Sequence, residues 1–299
     1  MITTNLKRFY DPTFTLSDTY KNTLPDLQNG PASLIEGANV PIQQVGISNF
    51  KLPLKFQSRD GDAHTLETSV DGYVSLDAGK KGINMSRIIR TFYEFKEEVI
   101  SQEVMEYVLR AYRENLDSND SYLRLHVNYP MIQKSLRSDL EGYQYYPLSF
   151  EGHMDGNGVM RKFMHITFEY SSACPCSFEL AEHARETRDV AAISHSQRSV
   201  ANVTIECTEY LAPEELIETM RNALMTETQV MVKREDEQAF AELNGAFQKF
   251  VEDAARLVYE ELNQRNDVSD FVVRCSHMES LHSHDAVSRI CKGVRGGLR

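Results

Sequence analysis

Twice along this chain the residue pattern runs strand, strand, helix, helix, strand, strand. A chain with that order is bound to layers of sheet and helix, and predicts an α+β fold of two similar halves. In the first half the strand patterns fall at 45–52, 68–76, 122–129 and 143–151. A helical pattern covers 86–116, with a break at Ser101 that places this serine as the N-cap of a second helix. The turn Asp155-Gly156-Asn157-Gly158 then marks a hairpin or a joint between the halves. Beyond it, residues 159–170 alternate, with Met164, Ile166, Phe168 and Tyr170 on one face and His165, Thr167 and Glu169 on the other. Strand patterns at 199–210, 271–277 and 284–292 and helical patterns at 213–225 and 247–263 complete the second half. Residues 1–40 carry Asp11-Pro12, Pro25-Asp26 and Asn29-Gly30-Pro31 and read as an N-terminal arm. The expected organisation is therefore an arm at 1–40, a first module at 41–155 and a second at 156–299.

Composition narrows the function classes. With 299 residues and an ordinary apolar fraction, the chain can bury a real core. No run reaches the roughly 20 apolar residues of a membrane span, and residues 1–10 lack the apolar stretch of a signal peptide. A cytoplasmic protein is expected. A net charge of −12 argues against nucleic acid or a membrane surface as partner. It leaves room for a phosphorylated small substrate, which needs only a few focused cations. The five cysteines are odd in number and irregularly spaced, so they read as reduced thiols, with Cys207 and Cys275 as small core residues of strands.

The chemistry concentrates at Cys174-Pro175-Cys176-Ser177 and at His195-Ser196-Gln197-Arg198-Ser199. Cys174, His195, Glu237, His282 and His284 are the residue types that hold a zinc-like ion. The cysteine pair taken alone fits two buried apolar thiols equally well, because Cys-x-Cys is not the usual zinc spacing. His282-Ser283-His284-Asp285 adds two imidazoles on one side of an extended segment and a carboxylate able to fix a tautomer. His183 and His277 read as ordinary surface or core histidines. Glu237 and Glu252 would stand roughly 22 Å apart on one continuous helix, but Asn244-Gly245 offers a break between them. Glu252 falls off the apolar stripe of its helix and reads as a solvated carboxylate unless that face meets a pocket or another subunit. Arg198, and Lys80-Lys81-Gly82 with Arg87, are the cations placed to hold an anion. No Walker or Rossmann glycine loop is present.

Seven stretches, in order, give the chain a family likeness. They are Val45-Gly46-Ile47-Ser48-Asn49-Phe50, Lys81-Gly82-Ile83-Asn84-Met85-Ser86-Arg87, Cys174-Pro175-Cys176-Ser177, His195-Ser196-Gln197-Arg198-Ser199, Lys233-Arg234-Glu235-Asp236-Glu237, Phe250-Val251-Glu252-Asp253, and Glu279 through Ala286. Together they resemble the prokaryotic type IB GTP cyclohydrolase I family, built of tandem T-fold modules. The resemblance implies antiparallel sheets with helices on one face, and hydrolysis of GTP to 7,8-dihydroneopterin triphosphate and formate in pterin and folate biosynthesis. It implies a divalent metal (zinc, iron(II) or manganese) on Cys174, with Glu237 and one or more of His195, His282 and His284. Glu252 would anchor the purine, Cys176 or a site histidine would move protons, and Arg198 and Lys81 would hold the triphosphate. It also implies a homo-oligomer, a tetramer, with sites between subunits. Two departures stand out. Residues 182–192 lengthen the path from Cys174 to His195, as an insertion would, and Asn84 stands where the pattern has a histidine. Two other classes fit the same residues. One is a T-fold reductase using Cys174 as a nucleophile on a deazapurine nitrile. The other is a non-catalytic module with a structural Cys/His site.

Overall fold

The computed structural model describes residues 8–209 and 211–293. Among its described residues the arm holds the short helix α1 (Asp18–Lys21) and a single 3-10 turn at Ala32–Leu34. The first half follows as β1 (Ile42–Gln57), β2 (Ala63–Leu76), α2 (Met85–Tyr93), β3 (Val99–Ile100), α3 (Gln102–Leu116), β4 (Ser121–Lys134) and β5 (Glu141–Met154). The second half is β6 (Met160–Ala173), α4 (Pro175–Arg188), β7 (Ser196–Cys207), α5 (Pro213–Leu224), α6 (Arg234–Ala246), α7 (Val251–Asn263), β8 (Val268–His277) and β9 (Ala286–Cys291).

These strands form one sheet in the order β3-β1-β2-β4-β5-β6-β7-β8-β9. Every pairing is antiparallel except the two-residue strand β3, which lies parallel to β1. Hydrophobic alternation decides which face is covered. Met164, Ile166, Phe168 and Tyr170 of β6 are buried, as are Ala201, Val203 and Ile205 of β7 and Phe271, Val273 and Cys275 of β8. They join the apolar stripes of α3, α5 and α7 in one continuous core. The other face is polar. There His126 bridges Asp71 and Ser149 at 3.0 and 2.8 Å, and His165 bridges Glu151 and Thr204 at 2.8 Å each.

The break at Ser101 is a true N-cap, its hydroxyl accepting from the Val104 amide at 3.2 Å. Ser101→Ala should lower stability by about 1 kcal/mol, read by urea denaturation, with no change in fold. Three features depart from the sequence pattern. Helix α4 is inserted between β6 and β7. A separate helix, α6, precedes α7. Helix α7 starts at Val251, so Phe247 and Phe250 lie outside its stripe and are 37% and 40% exposed. Phe250 is instead the N-cap residue, and the Asp253 carboxylate accepts from its amide at 3.1 Å. Cys207 and Cys275 are buried as expected, and burial pushes their thiols up to about 12 and about 11, which makes them unreactive.

Antiparallel pairing also sorts the site residues by end. The C-terminal ends of β6 and β8 and the N-terminal ends of β7 and β9 share one end of the sheet. The C-terminal end of β2, which leads to Lys81, lies at the other.

Candidate active site

The β6–β7 ladder closes at the pair Ala173 and Ser196, which leaves Cys174 and His195 facing each other just past it. The Cys174 amide donates to the His195 carbonyl at 3.2 Å. The long connection between them is therefore spent on a helix that leaves the sheet and returns. Pro175 starts α4, with Cys174 as its N-cap, and Asp189 ends it in a left-handed conformation at φ 52°. The returning loop is tied down at three points. Arg185 donates to the Ala192 carbonyl at 2.7 Å, Ser194 Oγ to the Cys174 carbonyl at 3.0 Å, and the His195 amide to Ser177 Oγ at 3.2 Å. Residues 182–192 thus form the end of a helix and its returning loop, and His195 still lies beside Cys174.

The His195 ring is oriented from one side. Its Nδ1 lies 3.1 Å from Gln197 Oε1 and 3.5 Å from Glu279 Oε2. Gln197 is itself fixed, its amide nitrogen donating to Ser172 Oγ at 2.7 Å, and Ser172 is bonded to Ser199. Two oxygen acceptors on that side favour the tautomer with the proton on Nδ1, which leaves Nε2 facing away from them. His195 and Glu279 side chains are 17% and 13% exposed, so this pair is sheltered yet reachable. Cys174 is half-buried at the open end of α4, and Cys176 is exposed. Gln197, Ser172 and Glu279 had no assigned role in the sequence. Both Gln197 and Glu279 lay inside the motif stretches; Gln197 reaches the imidazole from two residues along the same segment, whereas Glu279 comes to it from beyond the end of β8.

The other candidates are placed as follows. His282 and His284 lie in the exposed loop between β8 and β9, on the same end of the sheet as Cys174, with their rings stacked 4.9 Å apart. Glu237 is exposed on α6, and Glu252 is exposed in the first turn of α7. A break does separate them, but it falls at 247–250, after α6 ends at Ala246 and before α7 begins at Val251; Asn244 and Gly245 lie within α6. Helix α6 is fastened to the β4–β5 turn by the buried Asp236, which accepts from the amides of Lys233, Arg137 and Ser138 at 2.8, 2.8 and 3.0 Å. Burial alone would raise its pKa, but these donors and the Ser138 hydroxyl hold it well below the ordinary carboxylate range. Arg198 points to the polar face of the sheet, 3.6 Å from Glu169. Lys81 lies at the far end, with its ammonium 2.6 Å from the Leu34 carbonyl. Among the described residues no three His, Cys, Asp or Glu stand close enough to hold a metal ion.

The fold and site define an α+β chain with a thiol, an oriented imidazole and a carboxylate at one rim of its sheet. The chain belongs to the type I GTP cyclohydrolase folE2 family, whose model matches residues 24–288. It is 57% identical to GTP cyclohydrolase FolE2 of Roseobacter denitrificans over 96% of this chain and 79% of that one. It is 56% identical to GTP cyclohydrolase FolE2 of Dinoroseobacter shibae, over 97% and 80%. This corrects the resemblance to the type IB, tandem T-fold family: the match that runs nearly the length of the chain is to folE2, a distinct family. Short stretches around a thiol, imidazoles and carboxylates follow the chemistry of a site and are weaker guides to family than a full-length match. Among solved structures, uricase from Arthrobacter globiformis superposes with a TM-score of 0.50 at 8% identity, covering 86% of this chain and 95% of that one. That likeness concerns the fold alone.

Proposed function

We propose that this chain hydrolyses GTP to 7,8-dihydroneopterin triphosphate and formate, supplying folate-type pterin biosynthesis in the cytoplasm. The reading is carried by the junction of Cys174, His195 and Glu279, in a chain matched nearly end to end by GTP cyclohydrolase relatives. Opening the guanine imidazole ring needs water delivered to its carbon and a proton delivered to its nitrogen. His195, held with Nδ1 protonated, offers Nε2 as the base that takes the water proton and returns it to the ring. Cys176, exposed in the first turn of α4, is a further proton donor. Glu252 presents two acceptor oxygens to a ring N–H and the amino group of guanine, a pattern that adenine cannot match.

A divalent ion (zinc, iron(II) or manganese) suits the donor types of Cys174 and His195, and such an ion supplies hydroxide at neutral pH. Among the described residues, however, the donors of one copy do not gather into a set that would hold it. Glu237, His282 and His284 complete a set only if an assembly brings donors together. The triphosphate roles of Lys81 and Arg198 carry the same condition, since one lies at the opposite end of the sheet from Cys174 and the other on its opposite face. The proposal therefore includes a homo-oligomer, a tetramer, with sites between subunits. It also reads the halves 41–155 and 156–299 as tandem T-fold modules behind the arm 1–40.

Glu252→Ala should weaken binding of a non-hydrolysable GTP analogue by roughly 10- to 100-fold, the worth of hydrogen bonds to a charged group. Equilibrium titration checks this, and an unchanged affinity would remove Glu252 from the purine site.

A further inference from the structure

Behind the site lies a lysine that the mechanism above does not use. Lys249 is 3% exposed, and no carboxylate among the described residues lies within ion-pair distance of it. A buried cation without a counter-charge is costly, and is retained where its position matters. Its ammonium donates to Thr226 Oγ1 at 3.1 Å and to the Phe247 carbonyl at 2.5 Å. It also stands 6.0 Å from the centre of the Tyr170 ring, whose electron-rich face suits a cation.

The same residue ties together the segments that carry the site. Its amide donates to the carbonyl of Ala173, the residue before Cys174, at 3.3 Å. It directly precedes Phe250, the N-cap of α7, and lies three residues before Glu252. Its partner Thr226 is bound to β6 through the Ser171 carbonyl at 2.6 Å, and Ser171 donates back to the Thr226 carbonyl at 2.8 Å. On the far side, Tyr170 OH meets His277 Nε2 at 2.9 Å, two residues before Glu279. Burial lowers the Lys249 ammonium to about 8, while burial together with the Lys249 charge lowers His277 to about 4. At neutral pH the lysine is thus the charged member and the histidine the neutral one.

We propose that Lys249 is a positioning residue for GTP hydrolysis. Its buried ammonium and its amide pin the end of β6 to the entry of α7, and so set the spacing between Cys174 and the purine anchor Glu252. The inference rests on the functional reading above, and its test separates the two.

In the full-length protein, Lys249→Met keeps the length and apolar stem but loses the donors. It should lower kcat by roughly 10-fold and raise KM by roughly 5-fold, because thiol and anchor are both displaced. Lys249→Arg, which keeps charge and donors, should recover part of both. Thr226→Val removes one acceptor of the ammonium and should shift kcat and KM in the same directions by less, which serves if Lys249→Met does not fold. A fall in kcat with KM unchanged would mean a smaller folded fraction and would overturn the positioning role. Values within twofold of wild type would overturn it as well. Hydrogen exchange gives a readout independent of turnover. The amides of Cys174 and of the first turn of α7 should exchange faster in Lys249→Met and slow again in Lys249→Arg, and unchanged exchange would overturn the proposal. If wild type neither binds nor hydrolyses GTP, the functional reading falls while the exchange comparison still decides whether Lys249 pins these segments.

Discussion

Replacing Cys174 with alanine abolishes formate release from GTP, with a loss of roughly 10³-fold or more in kcat, and leaves the fold intact. The two halves of that expectation have separate causes. The chemical loss follows from the place of the residue, half-buried at the start of α4 with its amide bonded to the His195 carbonyl. The fold survives because Cys174 contributes backbone bonds that alanine keeps, and its side chain makes no cap hydrogen bond to α4. Circular dichroism and melting temperature should match wild type. Full turnover in the variant would remove this end of the sheet from the reaction.

Phe168→Ala should produce the largest loss of stability, about 3–5 kcal/mol by urea denaturation. Phe168 is fully buried on β6, in the middle of the sheet, and stacks on Tyr146 with ring centres 6.1 Å apart. Removing the ring leaves a cavity between strands held on both sides, so neighbouring residues can collapse into it only in part. Since domains of ordinary stability have about 5–15 kcal/mol in total, the variant should unfold well below the wild-type temperature. A loss under about 1 kcal/mol would mean that the sheet does not pack on its helices as described.

Much of this was legible because periodicity reports burial. The alternation of Met164, Ile166, Phe168 and Tyr170 gave the covered face of β6, and Ser101 gave the start of α3. Helix α6 was harder. Its fastening depends on Asp236 meeting Arg137 and Ser138, almost 100 residues away, and no local pattern encodes that meeting. The start of α7 was misplaced for a related reason: Phe247 and Phe250 extend its apolar stripe in sequence, yet the chain turns there to bring Lys249 inside. At the site, motif stretches pointed to Cys174 and His195. Of the acceptors that fix the imidazole, Gln197 stands two residues along and was readable from alternation, whereas Glu279 emerged only once β8 was paired beside β7. Lys249 carried no signal at all, since a lone lysine before a helix reads as a surface charge. Family membership needed the full-length match, because the stretches around the site had pointed to a different family.

The central claim, that this sheet end opens the guanine ring of GTP, has a direct measurement. Purified protein is incubated with GTP in the presence of zinc, iron(II) or manganese, formate is quantified, and the pterin is read by fluorescence after oxidation. The account predicts equimolar formate and pterin with at least one of these ions, and no product from ATP. Absence of formate with every ion, from folded protein, would contradict it.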